Sequence, residues 1–151
     1  MPIHREKRVI PYSQEQFFDI IADVERYPEY LSFWQSARIE RRVDNVYHTV
    51  QQIGIGPVRE RFRTQTRLSR PTRIVISSAD HLFKAFEIRW GFESLSEHSC
   101  RVDFEFKCEM ASFLMRRVMD LMLDETARTM VGAFEDRARE LLHPAYNATL
   151  K

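Results

Sequence analysis

The chain has 151 residues, a formal net charge of +1, 44% hydrophobic and 30% charged residues, and only 4 glycines and 6 prolines. That length suits one domain with a sizeable core, and that balance excludes a disordered tail. The near-zero charge excludes an overall field that would hold nucleic acid or an anionic membrane, so no DNA partner is expected and any such contact has to come from a local patch.

The start, "MPIHREKRVIPY", reads as a strand; it lacks the apolar core of a signal peptide. No segment approaches the roughly 18 to 20 uninterrupted apolar residues of a membrane span. The expected location is cytoplasmic, at most peripheral at the inner face of the membrane.

In "YSQEQFFDIIADV", Ser13 stands as a helix N-cap with Gln16 at capping-box spacing, and Phe17, Ile20, Ile21 and Val24 share one face. Tyr27-Pro28 interrupts that helix, and "PEYLSFW" is expected to begin a short second one.

From Gln35 to Glu109 the chain reads as about six strands separated by "RVDN", "GIGP", "SRP", "DHLFK" and "LSEHS". Alternation is clear in three of them. Glu60, Phe62, Thr64, Thr66 and Leu68 share one face, opposite Arg59, Arg61, Arg63 and Arg67. Phe86, Ile88, Trp90 and Phe92 oppose Glu87 and Arg89, and Val102, Phe104, Phe106 and Cys108 oppose Arg101, Asp103, Glu105 and Lys107. Such a sheet is antiparallel, wet on one side and covered on the other. Cys100 and Cys108 on one strand would lie about 26 Å apart, beyond disulfide reach, and are read as reduced thiols.

The cover is Ala111 to Leu142, a helix of about 45 Å. Projected at 100° per residue, Met115, Met119, Met122, Thr126, Thr129 and Ala133 fall on one line, flanked by Leu114, Val118 and Leu121 on one side and Met130 on the other. Arg116, Arg117, Asp120, Asp124, Arg128, Glu135 and Arg139 fill the opposite arc, which is expected to face solvent, with Asp124 and Arg128 at a supportive spacing. The expected fold class is α+β: a curved antiparallel sheet of about seven strands gripping one long C-terminal helix, with two short helices after strand one. The expected boundaries are a single domain over 1–145 and a short tail over 146–151.

The methionine line has two readings. In one, the methionines plug irregular gaps in a solid core. In the other, the turn from methionine to threonine and alanine leaves space for an apolar ligand with one polar end, hydrogen bonded by Thr64, Thr66, Gln51 or Tyr47.

Several stretches resemble a known family. "IPYSQEQFFDIIADVERYPEYL" carries its Pro-Tyr-Ser, Asp-Val and Tyr-Pro landmarks at Pro11, Tyr12, Ser13, Asp23, Val24, Tyr27 and Pro28. "DHLFKAFEIRWGF", "CRVDFEF" and "MVGAFEDRARELL" are similar to its later blocks. On these the chain resembles, from about Arg5 to Leu142, the START-like helix-grip proteins of the coenzyme Q-binding, oligoketide cyclase and lipid transport branch. His81-Leu82, Ile88-Arg89 and Ser32-Phe33-Trp34 depart from the family's usual residues at those places.

The resemblance implies a hydrophobic tunnel between sheet and helix that binds ubiquinone or a similar isoprenoid lipid in support of respiration, without a required cofactor. Its expected walls are Phe33, Trp34, Phe62, Thr64, Phe86, Trp90, Phe104, Met115, Met119, Met122 and Thr126. One branch of the family is instead described as a toxin that blocks association of ribosomal subunits. In that version a ribosomal subunit would be met through Arg59, Arg61, Arg63 and Arg67; the plainer reading of that row is a solvated outer face.

Other chemistry finds little footing. The 5 histidines are scattered, with no metal-ligand spacing, so no metal site is expected. Asp80-His81 in a loop could serve as the acid and base pair that a polyketide cyclase requires, although adjacent residues in a loop are more often just a turn. No nucleophile elbow or phosphate loop appears, which leaves no catalytic residue assigned. Leu31, Phe33 and Trp34 form either an exposed tip for transient membrane contact or a lid packed on the core.

Overall fold

Strand alternation decides the architecture. In Ser99–Met110 buried and half-buried residues alternate without a break, so one face of that strand is core and the other is not. A computed structural model describes residues 3–142. It contains β1 (Ile3–Ile10), α1 (Gln14–Ala22), a short 3-10 turn (Val24–Glu29), β2 (Trp34–Val43), β3 (Val46–Ile55), β4 (Val58–Ser69), β5 (Arg73–Ser77), β6 (Phe83–Ser96), β7 (Ser99–Met110) and α2 (Phe113–Leu142). His143 and the expected tail over 146–151 lie outside the described residues.

The seven strands form one sheet in the order β1-β7-β6-β5-β4-β3-β2, every neighbouring pair antiparallel. The turns fall where the breaks in the sequence lie. Asp44, with φ of 54°, turns β2 into β3, and Gly56, with φ of 58°, turns β3 into β4; both are residue types that tolerate the left-handed region. This is the helix-grip architecture of the START fold.

The capping box at α1 is complete: Ser13 Oγ accepts from the Gln16 N–H at 3.2 Å and Gln16 Oε1 accepts from the Ser13 N–H at 3.0 Å. Such a cap contributes about 1 kcal/mol. Phe17 and Phe18 from this helix meet Phe92 edge-on at 6.2 and 5.8 Å, which fixes α1 to β6.

The second short helix differs from expectation. It is a 3-10 turn that begins at Val24 and holds Pro28 inside it, while "FW" already leads into β2. The tight turn forms because Asp23 and Tyr27 carbonyls accept from Arg26 and Tyr30 N–H groups at 3.2 Å, and Pro28 has no donor to lose.

The long helix is confirmed within two residues at its start, but its phase is not the expected one. The buried seam is Leu123, Ala127, Met130, Val131, Phe134 and Ala138, rotated away from the methionine line; Thr129 is exposed. The cause is lopsided seating. α2 rests on β7, β1 and α1, where Ala127 and Ala138 let the backbones approach closely. The methionine line is thereby turned toward β2–β4, across a gap.

The charged arc also does more than meet water. Asp124 pairs with His4 Nδ1 at 2.9 Å rather than with Arg128, and His4 Nε2 meets Glu6 at 2.8 Å. Arg116 donates to the Met110 carbonyl at 3.3 Å, and Glu135 lies 3.5 Å from Arg8. These contacts hold the helix to β1 and to the end of β7.

Candidate ligand-binding groove

The gap between α2 and the β2–β4 side is a groove of about 680 Å³ counting its open mouth, narrowing to about 50 Å³ that a water-sized group can occupy. Its walls come from every layer of the fold. β4 and β6 supply Phe62, Phe83 and Phe86, whose rings meet at 4.7 to 5.8 Å. β7 supplies Phe106, Cys108 and Met110; α2 supplies Met115, Val118, Met119, Thr126 and Met130; and Phe33 and Trp34 close one end. Glu60 is the one carboxylate on the wall.

A second, deeper space of about 20 Å³ lies against β3–β5. Trp34, Phe62, Phe86, Ile88 and Met130 line both spaces and so form the partition between them. The deeper space has a polar side. Thr49 and Thr64 pair across β3 and β4 with their hydroxyl oxygens 2.5 Å apart. The Gln51 amide donates to Thr49 at 2.9 Å and Thr64 at 3.1 Å, and its carbonyl oxygen accepts from the Trp34 indole at 2.6 Å.

Tyr47 sits at the far side. Its hydroxyl donates to the Ala22 carbonyl at 2.8 Å. Burial pushes the phenol up to about 12, partly opposed by a hydrogen bond from Thr66. The polar group is thus closed off from solvent: Thr49, Gln51, Thr64 and Thr66 are all buried. Buried hydroxyls and amides are costly unless paired, and these are paired largely with one another.

The sequence-predicted wall residues divide. Phe33, Trp34, Phe62, Phe86, Met115, Met119 and Thr126 line the outer groove, and Thr64 and Trp90 line the inner space. Phe104 and Met122 line neither and are corrected. Phe104 lies where the helix sits directly on β7, packed against Trp90 at 4.4 Å and His4 at 6.2 Å. Met122 is turned aside by the rotated phase of α2.

Residues that sequence reasoning did not single out include Ile53, Leu82, Phe83, Ile88, Phe106, Cys108 and Met130. Phe106, Cys108 and Ile88 were marked by their alternation with named neighbours; Leu82 and Phe83 sit at a loop edge that no period marks.

The alternative chemistries can be placed as well. Asp80 accepts from the backbone N–H groups of Leu82 at 3.1 Å and Arg63 at 3.2 Å, while His81 is wholly exposed beside it. The pair is a turn brace that does not reach the groove. Both thiols are buried and free, and burial pushes Cys100 to about 11 and Cys108 to about 12, which leaves them protonated and poor nucleophiles at neutral pH. Among the described residues no cluster of His, Cys, Asp or Glu is arranged to hold a metal.

The apolar tip is packed down: Leu31 is buried, and Trp34 meets Phe33 at 5.0 Å and Tyr27 at 5.9 Å. Of the exposed large apolar side chains, Phe113, Leu114 and Leu121 stand out most, all on the N-terminal half of α2. No described helix is long and apolar enough to cross a membrane.

Across β2–β4 the outer face is basic. Arg63 pairs with Glu40 at 3.1 Å, but no described carboxylate pairs with Arg59, Arg61 or Arg67.

A seven-stranded grip around a helix, enclosing an apolar groove with a buried polar end, defines a START-like ligand-cavity protein. The chain belongs to the family described as polyketide cyclase / dehydrase and lipid transport, whose pattern matches residues 10–135. It is 28% identical to the ribosome association toxin RatA of Escherichia coli K12 over 93% of this chain and 89% of that one. It is 25% identical to the mitochondrial coenzyme Q-binding protein of Schizosaccharomyces pombe over 90% of this chain and 86% of that one. A START superfamily protein from Mycobacterium smegmatis shares the fold with a TM-score of 0.80 at 17% identity, covering 92% of this chain and 98% of that one.

Proposed function

We propose that this protein binds a hydrophobic small molecule, ubiquinone or a similar isoprenoid lipid, in the groove between sheet and helix, as a carrier without chemistry of its own. The observation that carries the reading is the groove itself: aromatic and methionine walls around a space that one shared partition divides from a second space with a buried polar side. The similarity to a coenzyme Q-binding protein supports the choice of a quinone.

Apolar burial holds the tail at about 25 cal/mol per Å². Apart from its open mouth the groove encloses only about 50 Å³ of free space, well below the roughly 300 to 1,000 Å³ of small-molecule sites, so entry requires walls that give. Met115 and Met119 are half-buried, unbranched and at the mouth. Phe113, Leu114 and Leu121 beside them form the face through which a lipid surface hands over its cargo.

Native mass spectrometry of protein purified from its host tests this. A bound lipid is expected, lost in Met119→Arg while the fold persists; a protein that neither carries nor takes up any hydrophobic molecule contradicts it.

A second reading rests on the unpaired arginines. Arg59, Arg61 and Arg67 face solvent with no carboxylate partner among the described residues, as a phosphate-binding face requires, and the ribosome association toxin is among the relatives. Sucrose-gradient profiles with Arg61 and Arg63 both changed to Glu decide it: relief of an effect on subunit association supports ribosome binding, and an unchanged profile removes it.

A further inference from the structure

The buried polar cluster has a hydrogen-bond count that does not close on itself, and the remainder says which way round a ligand lies. Trp34 can only donate, so the Gln51 atom facing it at 2.6 Å is the carbonyl oxygen and the amide nitrogen points at the threonines. The two threonine oxygens lie too close together to take one hydrogen each from the same planar amide, so a single Gln51 N–H is shared between Thr49 and Thr64, and the second is left over beside the inner space that Gln51 lines. The two hydroxyls are 2.5 Å apart, so one donates to the other.

Two hydroxyl protons serve one contact, and neither hydroxyl has another acceptor among the described residues. One proton is left over. If Thr64 donated to Thr49, the spare proton would belong to Thr49, which is fully buried and lines neither the groove nor the inner space; an unmatched donor there carries its full desolvation cost. With Thr49 donating, Thr64 accepts from both Thr49 and Gln51, and its own O–H faces the inner space that it lines. Thr64 thus supplies a spare hydroxyl on this wall, beside the unspent Gln51 N–H.

The geometry points to head-first binding: the ligand's buried end carries an oxygen acceptor of the ketone or quinone carbonyl kind, received by Thr64 Oγ1–H in the inner space, with the apolar tail running outward between Phe86 and Met119. This rests on the reading of the groove as a hydrophobic-ligand site and adds the orientation and the chemistry of the buried end. The inner space of about 20 Å³ matches the acceptor: it exceeds the roughly 10 to 15 Å³ needed for one water-sized group, enough for a carbonyl oxygen. Ring and tail then occupy the partition and the outer groove by displacing Phe86, which already borders both spaces.

The test uses the full chain and two matched probes, decylubiquinone and decylbenzene, with bound ligand counted by native mass spectrometry. Thr64→Val removes the donor and keeps the shape, while Thr64→Ser keeps the donor. The quinone is expected to bind about tenfold more weakly to Thr64→Val and near normally to Thr64→Ser, with decylbenzene unaffected or tighter in Thr64→Val. In the wild-type protein the infrared C=O stretch of one quinone carbonyl is expected to fall on binding.

Equal quinone affinity in Thr64→Val and wild type overturns head-first binding. So does an unshifted C=O stretch in the wild type, which decides the matter if Thr64→Val does not fold. Wild-type protein that takes up neither probe is a different result: it removes the ligand-carrier reading on which this inference stands.

Discussion

The two halves of the long helix are built for different tasks. In the C-terminal half, Leu123, Ala127, Met130, Val131, Phe134 and Ala138 are each at most 3% exposed, whereas in the N-terminal half Phe113, Leu114 and Leu121 are 70%, 72% and 87% exposed. One half is clamped between β1, β7 and α1; the other spans a groove and shows apolar side chains to solvent. The contrast teaches that a single helix can serve as core at one end and as the wall of a groove at the other, with the change of role set by what lies beneath it.

The clamp should break hardest. Phe134 packs on Tyr27 at 5.2 Å, Trp90 at 5.4 Å and Tyr30 at 5.6 Å, so Phe134→Ala is expected to cost about 3 to 5 kcal/mol in denaturant unfolding. Met119→Ala, on the half that walls the groove, is expected to cost less than about 1.5 kcal/mol, because the side chain is half-buried and borders space already empty. If the two cost the same, the halves are not distinct. Leu121→Gln should change stability by no more than about 0.5 kcal/mol, and a large loss there would mean that the exposed face is packed against something in solution.

A smaller effect sharpens the same comparison through pH. Burial raises the Cys108 thiol from an ordinary 9.0 to about 12 and Cys100 from 9.0 to about 11. The folded state therefore holds protons that the unfolded chain releases from about pH 9 upward. This contribution is complete below pH 9, and stability falls as pH rises from there toward 12. Cys108→Ala should flatten that fall; an identical alkaline profile would mean that the thiol is not sealed by the groove wall.

Most of the scaffold was legible from residue order, because a period of two is hard to mistake. Alternation in β4, β6 and β7 named the inward residues correctly, and the breaks at Asp44-Asn45 and Gly56-Pro57 marked the β2–β3 and β3–β4 hairpins. The buried hydrogen-bonding set of Thr64, Thr66, Gln51 and Tyr47 could be anticipated because inward polar residues stand out in an aromatic face.

The helix phase could not. Apolar residues surround much of α2, and a projection weighted by bulk chose the methionines, Thr129 and Ala133 over the seam in which Ala127 and Ala138 allow close approach. The same limit misplaced Met122. Phe104 was misassigned for a related reason: alternation tells that a residue faces inward, not whether helix or space lies above it. The 3-10 turn was missed because proline marks the end of an α-helix more surely than it marks a tighter one.

Hydrogen–deuterium exchange along α2, with and without decylubiquinone, tests the central claim most directly, that the N-terminal half is a movable wall over a ligand groove. Without ligand, amides of residues 113–122 should exchange faster than those of 123–138, and the quinone should slow the first set while leaving the second nearly unchanged. Uniform exchange along the helix, or no slowing of residues 113–122 with saturating quinone, would contradict the account.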